Sequence, residues 1–121
     1  MRKILVVDDE SDICDFVKNF FQERGYAVLT ASSGEDAIDI TKREKPELIL
    51  LDVRMKGMDG IAALKHLKEL DRSQKIIMVT ALEDQDKMDE ASRLGACDYI
   101  TKPLMLDYLE SAVEKNLRMA I

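Results

Sequence analysis

The sequence predicts an α/β fold, a five-stranded parallel sheet with helices on both faces. Three observations predict it. Short apolar runs recur along the chain, segments with helical spacing separate them, and several of the runs end on polar or charged residues. The runs are residues 4–7, 28–29, 48–51, 76–79 and 99–100. The longer ones do not alternate with polar residues, which is the pattern of strands covered on both faces in a parallel sheet.

Each element follows in order. The first strand stops at Asp8-Asp9-Glu10. Beyond it Ile13, Phe16, Val17 and Phe20 share one helical face, and Gly25 closes that helix. After the second strand, Ser33-Gly34-Glu35-Asp36 opens a second helix with capping-box-like spacing, Asp36 standing in for the usual Glu. The third strand leads into Asp52, and Ile61, Leu64 and Leu67 mark the inner face of a third helix. The fourth strand ends at Thr80. A fourth helical segment over 84–94 has only Met88, Ala91 and Leu94 as apolar anchors, and Gly95 follows it. After the fifth strand comes Thr101, then Lys102-Pro103. Leu109, Ala112, Val113 and Leu117 then share the face of a last helix expected to run to Ile121.

Strand and helix thus alternate five times with short connections and no linker or repeat. Right-handed crossovers place helices on both faces of such a sheet, so the expected strand order is flavodoxin-like. At 121 residues, the chain is expected to form a single domain over 1–121. In folds of this kind, ligands bind at the carboxyl ends of the strands, where the winding reverses.

Composition narrows the function. Hydrophobic residues make up 46% and charged residues 35%, as in soluble globular proteins. A net charge of −6 argues against direct nucleic-acid binding, which calls for a basic patch. No stretch approaches the roughly 20 apolar residues of a membrane span. The apolar run near the amino terminus ends after four residues, far short of a signal core, so a cytoplasmic location is expected. Cys14 and Cys97 are too few for a metal cage. They read as reduced, structural thiols in the core or half-buried.

The strand ends carry the chemistry. Asp8, Asp9, Asp52, Thr80 and Lys102 would converge on one basin if the fold is as expected. Clustered carboxylates repel, and at neutral pH they need raised pKa values or a cation. Their hard oxygens suit Mg²⁺, which takes one or two carboxylates and accepts a phosphate oxygen. A phosphoryl group on Asp52 would meet that ion, the Lys102 ammonium and the Thr80 hydroxyl. Each residue also has an ordinary reading. Asp8 and Asp9 could cap a helix, Asp52 could be a turn residue, Thr80 a strand-end residue, and Lys102-Pro103 a loop dipeptide.

The residues Ile4-Leu5-Val6-Val7-Asp8-Asp9-Glu10, Asp52-Val53-Arg54-Met55-Lys56-Gly57-Met58-Asp59-Gly60, Thr80-Ala81 and Gly95-Ala96-Cys97-Asp98-Tyr99-Ile100-Thr101-Lys102-Pro103 together resemble the receiver domain of bacterial response regulators. The resemblance runs from about Lys3 to the last helix. It implies that Asp52 is the phosphoacceptor and that Mg²⁺ is held by Asp9 directly, by Asp8 through water, by Asp52 and by the backbone carbonyl of Arg54. It implies that Lys102 contacts the phosphoryl group, with a cis bond to Pro103, and that Thr80 and Tyr99 form the switch pair. The phosphodonor would be a sensor histidine kinase or a phosphotransfer protein. A downstream protein or output domain would be engaged through the fourth and fifth helices. Such a domain is a switch rather than an enzyme, with at most self-phosphorylation from phosphodonors and self-dephosphorylation.

Three positions depart from or tune the family pattern. Lys56 stands where proline is usual, which predicts a less constrained and more positive loop. Arg54 and Leu82, two residues beyond Asp52 and Thr80, are bulky and are expected to shield an acyl phosphate from water. The sparse fourth helix is expected to be weakly held. On the first helix, Ile13 and Cys14 are read either as a docking surface for the donor or as core. His66 is expected at the surface.

Other functions fit less well. A phosphatase with an aspartyl-phosphate intermediate would need an acid where Arg54 stands. A calcium loop starting at Asp52 would need oxygen ligands at Arg54 and Lys56 and a Glu at Ala63. A receiver-like module that binds partners without being phosphorylated remains the alternative.

Overall fold

The computed structural model describes residues 2–118. Its elements are β1 (Lys3–Val7), α1 (Ser11–Gln22), β2 (Ala27–Ala31), α2 (Gly34–Glu44), β3 (Leu48–Asp52), α3 (Gly60–Leu70), β4 (Lys75–Thr80), a 3₁₀ segment (Leu82–Lys87), α4 (Met88–Leu94), β5 (Asp98–Thr101) and α5 (Leu106–Arg118). The expected extension of the last helix to Ile121 lies outside the described residues.

The strands form one parallel sheet in the order β2-β1-β3-β4-β5, the doubly wound arrangement expected. Side chains of a strand alternate between faces, so each strand feeds two cores. Leu5, Val7, Ile49, Leu51, Ile76 and Met78 meet Ala37, Leu64, Leu67 and Ala91 of α2, α3 and α4. Ile4, Val6, Leu48, Leu50, Ile77 and Ile100 meet Val17, Phe21, Leu109 and Val113 of α1 and α5. Every residue of β3 is buried, which is why its run shows no polar alternation.

Local signals act where their chemistry predicts. The Ser33 hydroxyl accepts the Asp36 backbone N–H at 3.1 Å and caps α2. The Asp59 carboxylate accepts the Ala62 N–H at 2.8 Å and caps α3. Gly95 ends α4 in the left-handed region, at φ 106°.

The fourth helical segment differs from expectation. Its first part is a 3₁₀ turn over Leu82–Lys87, and α-helix begins only at Met88. The reason is packing. Met88 and Ala91 are the buried apolar anchors, whereas the one buried residue of the 3₁₀ segment is Asp84. No helix among the described residues is long and apolar enough to cross a membrane.

The cysteines divide. Cys14 is buried, its thiol donating to the Asp8 carbonyl at 3.3 Å. Cys97 is exposed, against expectation, because it stands at the entrance to the edge strand β5. His66 is exposed on α3, 3.8 Å from Glu69.

Candidate functional site

The carboxyl ends of β1, β3, β4 and β5 come together because the sheet places β1 and β4 on either side of β3, with β5 beyond β4. Backbone hydrogen bonds continue past the strands and fix the rim. The Asp8 N–H donates to Ala31 O at 3.1 Å, the Val53 N–H to Val79 O at 2.9 Å, and the Lys102 N–H to Thr80 O at 2.7 Å. Asp52 is therefore held by its strand, and Asp8 and Lys102 by backbone bonds just beyond theirs.

Asp8, Asp9 and Asp52 each offer a carboxylate oxygen within 4.8 Å of the others. Asp8 and Asp52 are each 3% exposed, and Asp9 is the least buried of the three. The Lys102 ammonium lies 3.0 Å from Asp52 Oδ2 and 3.9 Å from Asp8 Oδ2. One ammonium against three carboxylates leaves an excess of negative charge. The Asp8 pKa rises from 3.8 to about 6. Burial is the main cause and the neighbouring Asp52 adds to it. The Glu10 N–H, donating to Asp8 Oδ1 at 2.9 Å, and the Lys102 charge oppose it. The Lys102 pKa is also raised. Its burial works against the charged form, but the hydrogen bond to Asp52 and the charges of Asp52 and Asp8 outweigh it. The donor set is all oxygen and over-charged, so it can hold a hard divalent cation.

Thr80 is fully buried at the end of β4, its hydroxyl donating to Ala81 O at 3.1 Å. Tyr99 is 44% exposed on β5, paired with Met78 rather than with Thr80. The Lys102-Pro103 bond is cis. The Arg54 N–H donates to Asp52 Oδ1 at 3.2 Å. Its side chain turns to Asp84, with Nε 2.6 Å from Oδ2 and Nη2 3.0 Å from Oδ1. Leu82 is 71% exposed. Neither bulky side chain is packed as the shield expected over Asp52.

The loop after Asp52 is also better tied than its sequence suggested. The Lys56 backbone N–H donates to Asp9 Oδ2 at 3.1 Å, a bond that a proline there could not make. Gly60 is a further requirement that the motif alone did not reveal. A Cβ on it would lie 2.1 Å from the Asp52 carbonyl oxygen, so α3 can start against the end of β3 only with glycine. On α1, Cys14 is buried and Ile13 packs against the core, so the exposed aromatic of that helix is Phe16.

The sequence matches the response regulator receiver domain over residues 4–114. The chain belongs to this family. Receiver domains are signalling switches of two-component systems. The chain is 39% identical over 116 residues to sporulation initiation phosphotransferase F of Bacillus subtilis, covering 96% of itself and 94% of that protein. It is 40% identical over 114 residues to the transcriptional regulatory protein ZraR of Escherichia coli, covering 94% of itself but 26% of ZraR. Among solved structures, the receiver domain of NtrX from Brucella abortus superposes with a TM-score of 0.91 at 32% identity, over 96% of this chain and 98% of that one.

Proposed function

We propose that this receiver domain accepts a phosphoryl group on Asp52, with Mg²⁺ held by Asp8, Asp9, Asp52 and the Arg54 carbonyl. The observation that carries the reading is the pairing of a buried Asp52 with Lys102 at 3.0 Å, inside a cluster of three carboxylates. Mg²⁺, when bound, would neutralise carboxylate charge and draw off charge from the phosphoryl oxygens. Everything else falls to side chains. A free carboxylate oxygen of Asp52 attacks phosphorus, and the bond to the donor breaks with its electron pair leaving on the donor. For a phosphohistidine, that pair returns to the imidazole nitrogen. Lys102, already 3.0 Å from Asp52, stays within reach of the transferred oxygens and supplies the second positive charge. The Thr80 hydroxyl, bonded to its neighbour Ala81, changes acceptor to the phosphoryl group, and Tyr99 turns in from its exposed position.

The donor is a sensor histidine kinase or a phosphotransfer protein, and the signal passes to a partner or output domain through α4 and α5. Likeness to sporulation initiation phosphotransferase F along nearly its whole length favours a relay role, and likeness to about a quarter of the transcriptional regulatory protein ZraR favours control of an attached domain. Exposed Leu82, Tyr99, Met105 and Tyr108 support the output face.

Incubation with acetyl phosphate and Mg²⁺ tests the proposal. Intact mass should gain one phosphoryl group, a chelator should prevent it, and Asp52→Asn should abolish it. A wild-type chain that stays folded, binds Mg²⁺ and gains nothing would favour the partner-binding alternative.

A further inference from the structure

The Arg54 guanidinium is committed elsewhere. It grips both oxygens of Asp84, at 2.6 and 3.0 Å, across 30 residues of sequence. Asp84 is 4% exposed, whereas the Arg54 side chain is 63% exposed. The one other cation near Asp84 among the described residues is Lys87, at 3.9 Å. Arg54 follows Asp52 by two residues and is tied to it through its own N–H. Asp84 belongs to the 3₁₀ segment that follows Thr80. The ion pair therefore joins the loop behind the phosphoacceptor to the segment leading into α4.

Two physical facts set these groups in competition. A buried carboxylate depends on its paired cation, and a planar guanidinium gives it two parallel hydrogen bonds. A phosphoryl group on Asp52 would bring nearly two negative charges and three strong acceptors close to the same guanidinium, whose fork suits phosphate as well as carboxylate.

We propose that Asp84 is a positioning residue that holds Arg54 away from the phosphoacceptor, so that a phosphoryl group on Asp52 and the buried Asp84 compete for one guanidinium. This inference rests on the reading of Asp52 as phosphoacceptor. Coupling between two sites is reciprocal. Capture of Arg54 by the phosphoryl group leaves Asp84 with the longer Lys87 contact and loosens Leu82–Lys87. Conversely, weakening Asp84 gives Arg54 to the phosphoryl group and shields it from water. The 3₁₀ segment suits release, since Asp84 is its one buried residue and Leu82 stands in solvent.

The test is a cycle of Asp84→Asn, Arg54→Ala and the double variant, made in the full chain. Three quantities are read: the lifetime of the phosphoryl adduct after acetyl phosphate is removed, the affinity for beryllofluoride with Mg²⁺, and amide hydrogen exchange over 82–94 with no donor present. Asp84→Asn should lengthen the lifetime and tighten beryllofluoride binding, each about three- to tenfold, the worth of one hydrogen bond to a largely exposed cation. It should also speed exchange over Leu82–Lys87. In the Arg54→Ala background the first two gains should vanish. Should Asp84→Asn not fold, Arg54→Lys takes its place. It loosens the grip on Asp84 yet keeps the charge, so it should outlast Arg54→Ala in adduct lifetime. The proposal is overturned if lifetime and affinity ignore Asp84, if the gains persist without Arg54, or if Arg54→Lys matches Arg54→Ala. A wild-type chain that forms no adduct overturns this proposal and the reading of Asp52 together. A normal adduct whose lifetime is indifferent to Asp84 overturns this one alone.

Discussion

Replacing Asp8 with asparagine should stabilise the metal-free protein near neutral pH while weakening Mg²⁺ binding about tenfold or more. Asp8 is 3% exposed, and its pKa is raised from 3.8 to about 6, first by burial and then by Asp52. The folded chain therefore holds this proton more tightly than the unfolded chain does. Ionised Asp8 lowers stability above about pH 6, and the loss is recovered as pH falls through 6 towards 4. A shift of this size corresponds to about 3 kcal/mol at most, so a gain of about 2 kcal/mol is expected from Asp8→Asn. Asparagine keeps an oxygen for the Glu10 N–H and removes only the charge. With Mg²⁺ present the pH dependence reverses, because protons then compete with the ion for Asp8. Urea unfolding at pH 5 and near pH 7.5, with chelator and with Mg²⁺, reads all four corners. A destabilised metal-free variant would contradict the charge account.

Gly60→Ala should be among the most damaging single-atom changes in the chain. Its Cβ would fall 2.1 Å from the Asp52 carbonyl oxygen and 2.7 Å from Val53 Cα. Both are backbone atoms at the end of a fully buried strand and cannot rotate aside. The Gly60 N–H also donates to Val53 O at 2.8 Å, so moving α3 away breaks that bond. The expected loss is about 3 kcal/mol or more, the upper range for overpacking. Mg²⁺ affinity should fall with it, since the strain is delivered to Asp52. Gly25→Ala is the matched control. It has φ +89° and nothing within 4 Å of the added Cβ, so it should cost about 1 kcal/mol from backbone conformation and leave Mg²⁺ binding intact. Equal losses at the two glycines would mean that α3 can back away from Asp52.

Much of the site was legible because its residues end apolar runs, and the order of a parallel sheet brings such ends together. Asp8, Asp52 and Thr80 needed only the strand boundaries and the winding rule. The cis bond before Pro103 came from family resemblance alone. What escaped depends on tertiary placement. Nothing about Asp84, one acid in a polar stretch, announces that it is buried or that it takes Arg54. The lack of proline at Lys56 predicts a less constrained loop, whereas the backbone N–H that proline would lack ties the loop to Asp9. The α-helix expected over 84–94 begins at Met88, because apolar anchors and not helix propensity decide where a short surface helix starts. Cys97 was read as structural because free cysteine is usually buried, yet the edge position of β5 leaves it exposed.

The most direct measurement is to locate the modified aspartate. The chain is phosphorylated with acetyl phosphate and Mg²⁺, and the acyl phosphate is reduced with borohydride, which converts an aspartyl phosphate to homoserine and releases phosphate. Peptide mass spectrometry then finds the residue. Homoserine at position 52 and at no other aspartate is the predicted result. Homoserine at position 8 or 9, with position 52 unchanged, would contradict the assignment of Asp52 as the phosphoacceptor.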